Sequence, residues 1–372
     1  DGNEYMVLTG RFKEIIIKGG DNYSPVMIED EFRRSNIVGD LAVVSTADSR
    51  LGEDIGLVVE QYQPIVLNNY KLQPAAVRFG KVQRTQTRKP KRNAMRQGLV
   101  SMALEDQYRG DLAEAAVLAR RILELNPTNA QQFYIWGAAE KLASYQGTGT
   151  ARSIVKHYFE IINDCIDDFW SGKITGHELI KKANAWEDLM CLEPMGNYAM
   201  LTNQFVRANK LMDKDFLEVG AGVGNFTRLI CSDVTGKYIR SDLKSKFLRG
   251  AFNTEEAEVD ILKGTNLTAD VVVGVNVFHC VPNYADAVRS MWESVRPDGM
   301  LIITEGSPAP GKQEAWALDL LFGFIDGWWD AGGFRSRKEW LDVLSSLNGQ
   351  EFGYSVYREG SFDMGGLYWS KK

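Results

Sequence analysis

Nine residues constrain this chain more than any others: Leu217-Glu218-Val219-Gly220-Ala221-Gly222-Val223-Gly224-Asn225. An apolar run, DFLEVG, enters a glycine-rich turn, and FTRLICS leaves it with helical character. Glycines at such a turn let the backbone approach a ligand closely. From about Met212 onward the alternation continues, with strand-like KYIRSDL, ADVVVGVNVF and GMLIITEG separated by helical segments. That order predicts an α/β fold, a mostly parallel sheet covered on both faces. FGYSVYRE and GGLYWSK, close in sequence, predict an antiparallel carboxy-terminal pair at one edge of the sheet.

The preceding chain has two other textures. Residues 1–97 hold short β-rich runs (EIII, LAVVS, IGLVVEQY, AAVRFGKV) separated by turn signals, and predict a small α+β lobe. They end in a basic run, Lys81 to Arg96, with seven Lys or Arg and no acid; a solvated face and a phosphate-facing patch both fit it. From Gly98 to Lys210 the apolar spacing becomes helical, as in AEAAVLARRILEL. GDLAEAAVLARRILELNPTNAQQFYIWGAAEKL resembles one and a half tetratricopeptide repeats, too few for a stable array, and reads as a connecting hairpin. With Gln146–Thr150 as a linker, the expected units are 1–97, a helical connector 98–150, a helical lid 151–211 and an α/β core 212–372.

Composition removes several classes. At 372 residues the chain can bury sizeable cores without staples. Four cysteines (Cys165, Cys191, Cys231, Cys280) without close pairing argue against a disulfide scaffold or cysteine-built zinc site. His177-Glu178 does not continue to a second histidine, so no metalloprotease motif exists, and no metal is expected. A net charge of -6 does not suit nucleic-acid binding. No apolar run approaches the roughly 18 residues that span a bilayer. DGNEYMVLTGRFKE lacks a signal layout, which gives the expectation of a soluble cytoplasmic protein with no membrane or nucleic-acid partner.

The glycine turn does not match a dinucleotide fingerprint, which would need a further glycine at Asn225 or Thr227. Glu218, two residues before Gly220, would repel a pyrophosphate but suits a sulfonium cofactor carrying a cationic amino acid. The pattern Gly220-x-Gly222-x-Gly224 with that acid resembles the first motif of S-adenosylmethionine-dependent methyltransferases, a Rossmann-like fold. Asp242, ending YIRSD, then stands where an acid accepts from ribose hydroxyls, and Asp260, in EVDIL, falls on the adenine side. Asn276 either lines the same pocket or ends its strand. Each acid taken singly reads as a solvated surface group.

His279 directly follows the fourth core strand, and Glu305 ends the next one. If those strands are neighbours, imidazole and carboxylate meet at the mouth of the sheet. There a histidine can take a proton while the carboxylate fixes its tautomer. Position alone leaves open a histidine satisfied by the backbone. His157 and His177 lie in the helical region and read as structural or exposed.

NVFHCVPNYADAVRSMWESVRPDGMLIITEGSP, followed by LDLLFGFIDGWWD and SRKEWLDVL, resembles the methyltransferase domains of polyketide synthases, the carbon-methylating ones in particular. The resemblance runs from about Glu193 to Lys372. It implies His279 and Glu305 as a catalytic dyad and S-adenosylmethionine as cofactor. The implied substrate is a β-ketoacyl chain on an acyl carrier protein, methylated at its α-carbon among neighbouring assembly-line domains. Oxygen methylation of a hydroxyl or enol could use the same base, and a catalytically degenerate domain is a further alternative. Cys280 replaces the family's usual small residue after the histidine. Phe322, Phe324, Trp328 and Trp329 would line an acyl pocket or form an aromatic core, and Tyr158 and Tyr198 are pocket candidates from the lid.

Thr9-Gly10-Arg11-Phe12-Lys13-Glu14 and IIIKGGDNYSPVMIE resemble the carboxy-terminal subdomain of adenylate-forming enzymes, over about residues 5 to 97. The resemblance implies Lys13 at the hinge and Lys89, in Arg84-Thr85-Gln86-Thr87-Arg88-Lys89-Pro90, at the place of the adenylation lysine. Arg88 stands where that family has glycine. The larger core of that family has no counterpart here. The expectation is a lobe kept beside its neighbours in a longer assembly-line enzyme, or a vestigial one, without ATP–pyrophosphate exchange.

Overall fold

A computed structural model describes residues 14–67, 69–191, 195–309, 316–327 and 333–372. The adenylation-type hinge residues, Lys13 included, and Trp328 and Trp329 lie outside the described residues.

The amino-terminal lobe runs β1 (Ile16–Lys18), β2 (Asp21–Tyr23), α1 (Pro25–Arg34), β3 (Leu41–Asp48), β4 (Gly52–Val59), β5 (Ala76–Phe79) and the single turn α2 (Arg92–Met95). Strand β6 (Val100–Leu104) follows, then helices α3 (Tyr108–Ile122), α4 (Ala130–Leu142), α5 (Ser153–Trp170), α6 (Gly176–Ala183), α7 (Trp186–Cys191) and α8 (Gly196–Ala208). The α/β part is β7 (Phe216–Val219), α9 (Thr227–Ile230), β8 (Tyr238–Asp242), β9 (Glu255–Glu258), β10 (Ala269–Val275), α10 (Tyr284–Glu293) and β11 (Val295–Gly306). It closes with α11 (Ala317–Gly323), α12 (Arg337–Ser346), β12 (Glu351–Glu359) and β13 (Phe362–Lys371).

The strands form one sheet in the order β2-β1-β4-β3-β6-β12-β13-β11-β10-β7-β8-β9, with β5 bridging β4 and β12. Its second half is Rossmann-like: β9, β8, β7, β10 and β11 are parallel, and β13 inserts antiparallel between β11 and β12. Alternation along β7 decides its packing. Phe216 joins the core under the helical lid, and Leu217 and Val219 join the opposite core with α10 and α12.

Two sequence expectations change. The carboxy-terminal pair is the edge of the Rossmann half but not of the sheet, because β5 pairs antiparallel along β12 from Phe352↔Phe79 to Ser355↔Ala76, and β6 joins its far end. Non-local pairing of this kind leaves no mark in local pattern. Residues 100–104, read as opening the helical stretch, are strand β6; VSMAL is a short apolar run that periodicity cannot assign. The linker at Gln146–Thr150 carries no regular structure, as expected.

The second core continues from Phe32, Leu41 and Leu57 in the lobe to Leu301 and Tyr368 in the Rossmann half. Polar ties reinforce the junction. Tyr62 donates to Asp342 at 2.5 Å and Arg358 pairs with Asp54; separately, Arg152 is buried between Asp111 of α3 and Glu359 of β12 and ties the helices to the sheet.

Candidate active site

The glycine turn closes the carboxyl end of β7. Gly220 has φ +63°, and a Cβ there would come within 2.1 Å of Val277. Gly224, at φ +74°, would bring a Cβ within 2.4 Å of Phe252. Both positions therefore require glycine on steric and conformational grounds. Gly222 also has a positive φ, and its amide donates to Asp242 Oδ2 at 3.0 Å. The carboxylate ending β8 thus braces the turn.

Above the turn is a cavity of about 930 Å³. Gly220, Gly222, Asn225 and Asn276 line one side, and Lys181 and Asp188 of the lid line another. Asn276 sits in the left-handed region, φ +57°, directly after β10. Its Oδ1 is buried without a hydrogen-bond partner among the described residues, an acceptor held ready at the cavity wall. Asn225, noted in the sequence only for not being glycine, hydrogen-bonds through Nδ2 to the Met190 carbonyl and so ties the turn to the lid. A second cavity of about 590 Å³, by Cys231, Tyr238 and Phe252, touches neither the turn nor the dyad.

Glu218 takes a different place from the one its spacing suggests. It is buried below the turn, where it accepts from Thr227 Oγ1 at 2.5 Å and Tyr238 OH at 2.7 Å. Burial pushes its carboxyl up, and the two hydroxyl donors work against that shift. It does not line the cavity. Asp260 lies two residues beyond β9, half-buried, caps the Leu262 amide and pairs with Lys263 at 3.1 Å. The hydrogen bond to Lys263 holds its carboxyl below the usual range. Neither Asp242 nor Asp260 is part of the cavity wall.

His279 and Glu305 are brought together. Parallel pairing of β10 and β11 aligns their carboxyl ends, and the chain turns at Phe278–Cys280 so that His279 Nδ1 meets Glu305 Oε2 at 2.5 Å. Glu305 Oε1 accepts the amides of Val277 at 2.9 Å and Phe278 at 2.7 Å. Both carboxylate oxygens are therefore engaged, and the imidazole is fixed in orientation. Nε2 faces Cys280 Sγ at 3.3 Å, and the Phe334 ring packs 5.0 Å from the imidazole. Burial works against the imidazolium, but negative charge on Cys280 and Glu305 outweighs it, and His279 is pushed up to about 10. The Cys280 share of that push exists only when the thiol is ionised.

The aromatic candidates divide. Phe322 is buried and packs on Phe334, at 6.3 Å between ring centroids, so it backs the dyad through one intervening ring. Phe334 itself carries no motif and was missed. Phe324 packs 5.0 Å from Phe169 inside the lid core, away from the dyad. Tyr198 is buried, donates to the Met364 carbonyl at 2.8 Å and lies 5.6 Å from Tyr357. Tyr158 is buried in the lid core. His157 contacts the Ala183 carbonyl at 2.9 Å, as a structural histidine does, and His177 is exposed at the cavity mouth. Among the described residues no cluster suits a metal ion, and no helix is long and apolar enough to cross a membrane.

Residues 217–301 match the family model described as a methyltransferase domain. The chain is 30% identical over 156 residues to the reducing polyketide synthase ppsB of Aspergillus oryzae, a match covering 36% of this chain and 6% of that protein. It is 30% identical over 134 residues to the polyketide methyltransferase ustM of Ustilaginoidea virens, covering 31% of this chain and 29% of that one. The matches thus span well under half the length of these curated relatives. Among solved structures, the CMeT domain of the citrinin polyketide synthase superposes with a TM-score of 0.56 at 15% identity, over 71% of this chain and 88% of that one. The trans-methyltransferase CalH, solved with SAH, gives 0.56 at 18% identity over 78% and 97%. Residues 217–301 thus match a methyltransferase domain, and the Rossmann-like half shares the fold of these solved methyltransferases. None of these findings supports the adenylation-type reading of the amino-terminal lobe.

Proposed function

We propose that this chain methylates the α-carbon of a β-ketoacyl or related chain tethered to an acyl carrier protein, in a polyketide-type assembly line. The observation that carries the reading is the His279–Glu305 pair, built at the carboxyl ends of adjacent parallel strands beside the glycine turn. S-adenosylmethionine, when bound, supplies an electrophilic methyl group. The residues present fit it: Gly220, Gly222 and Gly224 hold the turn at positive φ, Gly220 and Gly222 lie on the cavity wall, and Asn276 offers an acceptor without a partner among the described residues. Asp242 would take the ribose side, Asp260 the adenine side, and Glu218 would support the turn from below.

The chain's own chemistry is proton removal. A carbon between two carbonyls is acidic enough for an imidazole to deprotonate, and a positioned base contributes about 10²- to 10⁴-fold. His279 takes that proton at Nε2, since Nδ1 is committed to Glu305. Glu305 then stabilises the imidazolium, and its two backbone donors keep it in place. Phe334, with Phe322 behind it, excludes water from the imidazole, and Tyr198 supports the neighbouring wall. Trp328 and Trp329 remain candidates for the acyl pocket.

The carrier protein and adjoining assembly-line domains are the proposed partners, and the cytoplasm the proposed location. The units 1–97, 98–150, 151–211 and 212–372 are proposed as lobe, connector, lid and core. An adenylation-type ancestry for the lobe is part of the same proposal, resting on the motif around Lys89, which is exposed. The test uses labelled methyl donor and a carrier-bound β-ketoacyl probe. Label at the α-carbon by NMR, lost in His279→Ala while donor binding persists, is the expected result. Label on oxygen, or unchanged turnover in His279→Ala, overturns it.

A further inference from the structure

Cys280 touches the dyad and has no part in the proton removal. Its Sγ lies 3.3 Å from His279 Nε2, within hydrogen-bond reach for sulfur. The imidazole is oriented by Glu305 at 2.5 Å, and Glu305 by two backbone amides. Cys280 itself is exposed, whereas Cys165, Cys191 and Cys231 are only partly so. Nucleophile, base and orienting carboxylate therefore stand in series, with the nucleophile at the solvent end. That is the geometric requirement for an activated thiol.

We propose that Cys280 is a nucleophile served by the same His279–Glu305 pair, and that its reactants are α,β-unsaturated carbonyl compounds. Sγ bonds to the β-carbon of the acceptor while His279 Nε2 takes the thiol proton. The carbon–carbon π electrons move to the α-carbon and carbonyl as an enolate, and the imidazolium returns the proton to the α-carbon. The net change is addition of S–H across the double bond, with no oxidant, reductant or leaving group. A soft acceptor of this kind suits sulfur, and the step needs only the base and proton donor already in place. The adduct leaves a substituted sulfur against Nε2, so occupancy of Cys280 obstructs the base.

The test is a time course with N-ethylmaleimide as probe, read by intact mass and peptide mapping. In the native chain Cys280 takes up the first adduct, before the other three cysteines. Its rate is roughly a hundredfold above that of free N-acetylcysteine at the same pH, the low end of general-base assistance in a protein. His279→Gln lowers the Cys280 rate to that of the free thiol or below. A native Cys280 rate no higher than the free thiol, or an equally fast His279→Gln chain, overturns the proposal. If His279→Gln does not fold, the comparison with free thiol in the native chain decides. The readout is a mass and does not involve methyl transfer, so it stands or fails independently of the proposed reaction.

Discussion

Glu305 stands 2.5 Å from His279 with one oxygen, while its other oxygen holds the amides of Val277 and Phe278. One carboxylate thus sets both the tautomer of the imidazole and the path of the turn that carries it. Residues acting as such a unit are non-additive. His279→Ala and Glu305→Gln should each lower methyl transfer by about 10²- to 10⁴-fold, and the double variant should fall little further than His279→Ala alone. Steady-state kinetics on the three variants check this; fully multiplicative losses would separate the two residues.

The charge state of His279 gives a pH dependence. It is pushed up to about 10, so at neutral pH most of the imidazole already holds a proton, and the fraction free to accept one grows as pH rises. kcat/KM should therefore rise with pH toward that value. Cys280→Ser removes one of the two neighbours that raise it and should move the limb to lower pH; Glu305 remains beside the imidazole, with Tyr198 near that carboxylate. The same shift acts on stability. The native state binds this proton more tightly than the unfolded chain, whose histidines titrate near about 6.5. The contribution is complete below that value and is lost as pH rises through about 10. Thermal melts from neutral to alkaline pH should fall more steeply for the native chain than for His279→Gln.

The glycine turn should tolerate no side chain at Gly220. A Cβ at 2.1 Å from Val277, at φ +63°, forces the segment leading to His279 to move. Gly220→Ala should weaken donor binding at least about tenfold, through displaced backbone as well as strain of order 1–3 kcal/mol. Isothermal calorimetry measures the first and denaturant unfolding the second. Unchanged affinity would mean that the turn does not approach the cofactor.

The seating of the helices on the sheet rests on a buried charge. Arg152 lies between Asp111, at 3.0 Å, and Glu359, both almost fully buried. Arg152→Met would leave two carboxylates without their cation, which typically costs about 3–5 kcal/mol. The denaturation midpoint should fall accordingly. A change below about 1 kcal/mol would mean that water or movement already relieves these groups.

What the sequence made legible follows from range. The glycine turn, the dyad and the strand–helix alternation are local patterns, each readable from a few residues around Gly220, His279 and Glu305. The pairing of Phe79 with Phe352 joins strands far apart in the chain, so the merging of the lobe into the Rossmann sheet left no local trace. Phe334 contacts the imidazole but belongs to no motif, and only packing reveals it. Cys280 was visible as a departure from a family pattern, yet its contact with Nε2 depends on the turn at Phe278–Cys280. Glu218 shows the opposite limit: its position before the turn is legible, but the side to which its carboxylate points depends on Thr227 and Tyr238.

That orientation of Glu218 is itself testable. Burial pushes its carboxyl up, so the folded chain favours the protonated form, and stability falls as pH rises from the ordinary glutamate range through the folded value. Glu218→Gln keeps an acceptor for Thr227 and Tyr238, has no proton to lose, and should be as stable as the native chain or more so at neutral pH. Glu218→Leu removes the acceptor from two buried hydroxyls, at about 1–3 kcal/mol for each group left unsatisfied. Donor affinity should follow stability of the turn, near native in Glu218→Gln and reduced in Glu218→Leu. If Glu218→Gln instead abolishes donor binding while remaining folded, the carboxylate reaches the ligand directly and must leave its partners below the turn to do so.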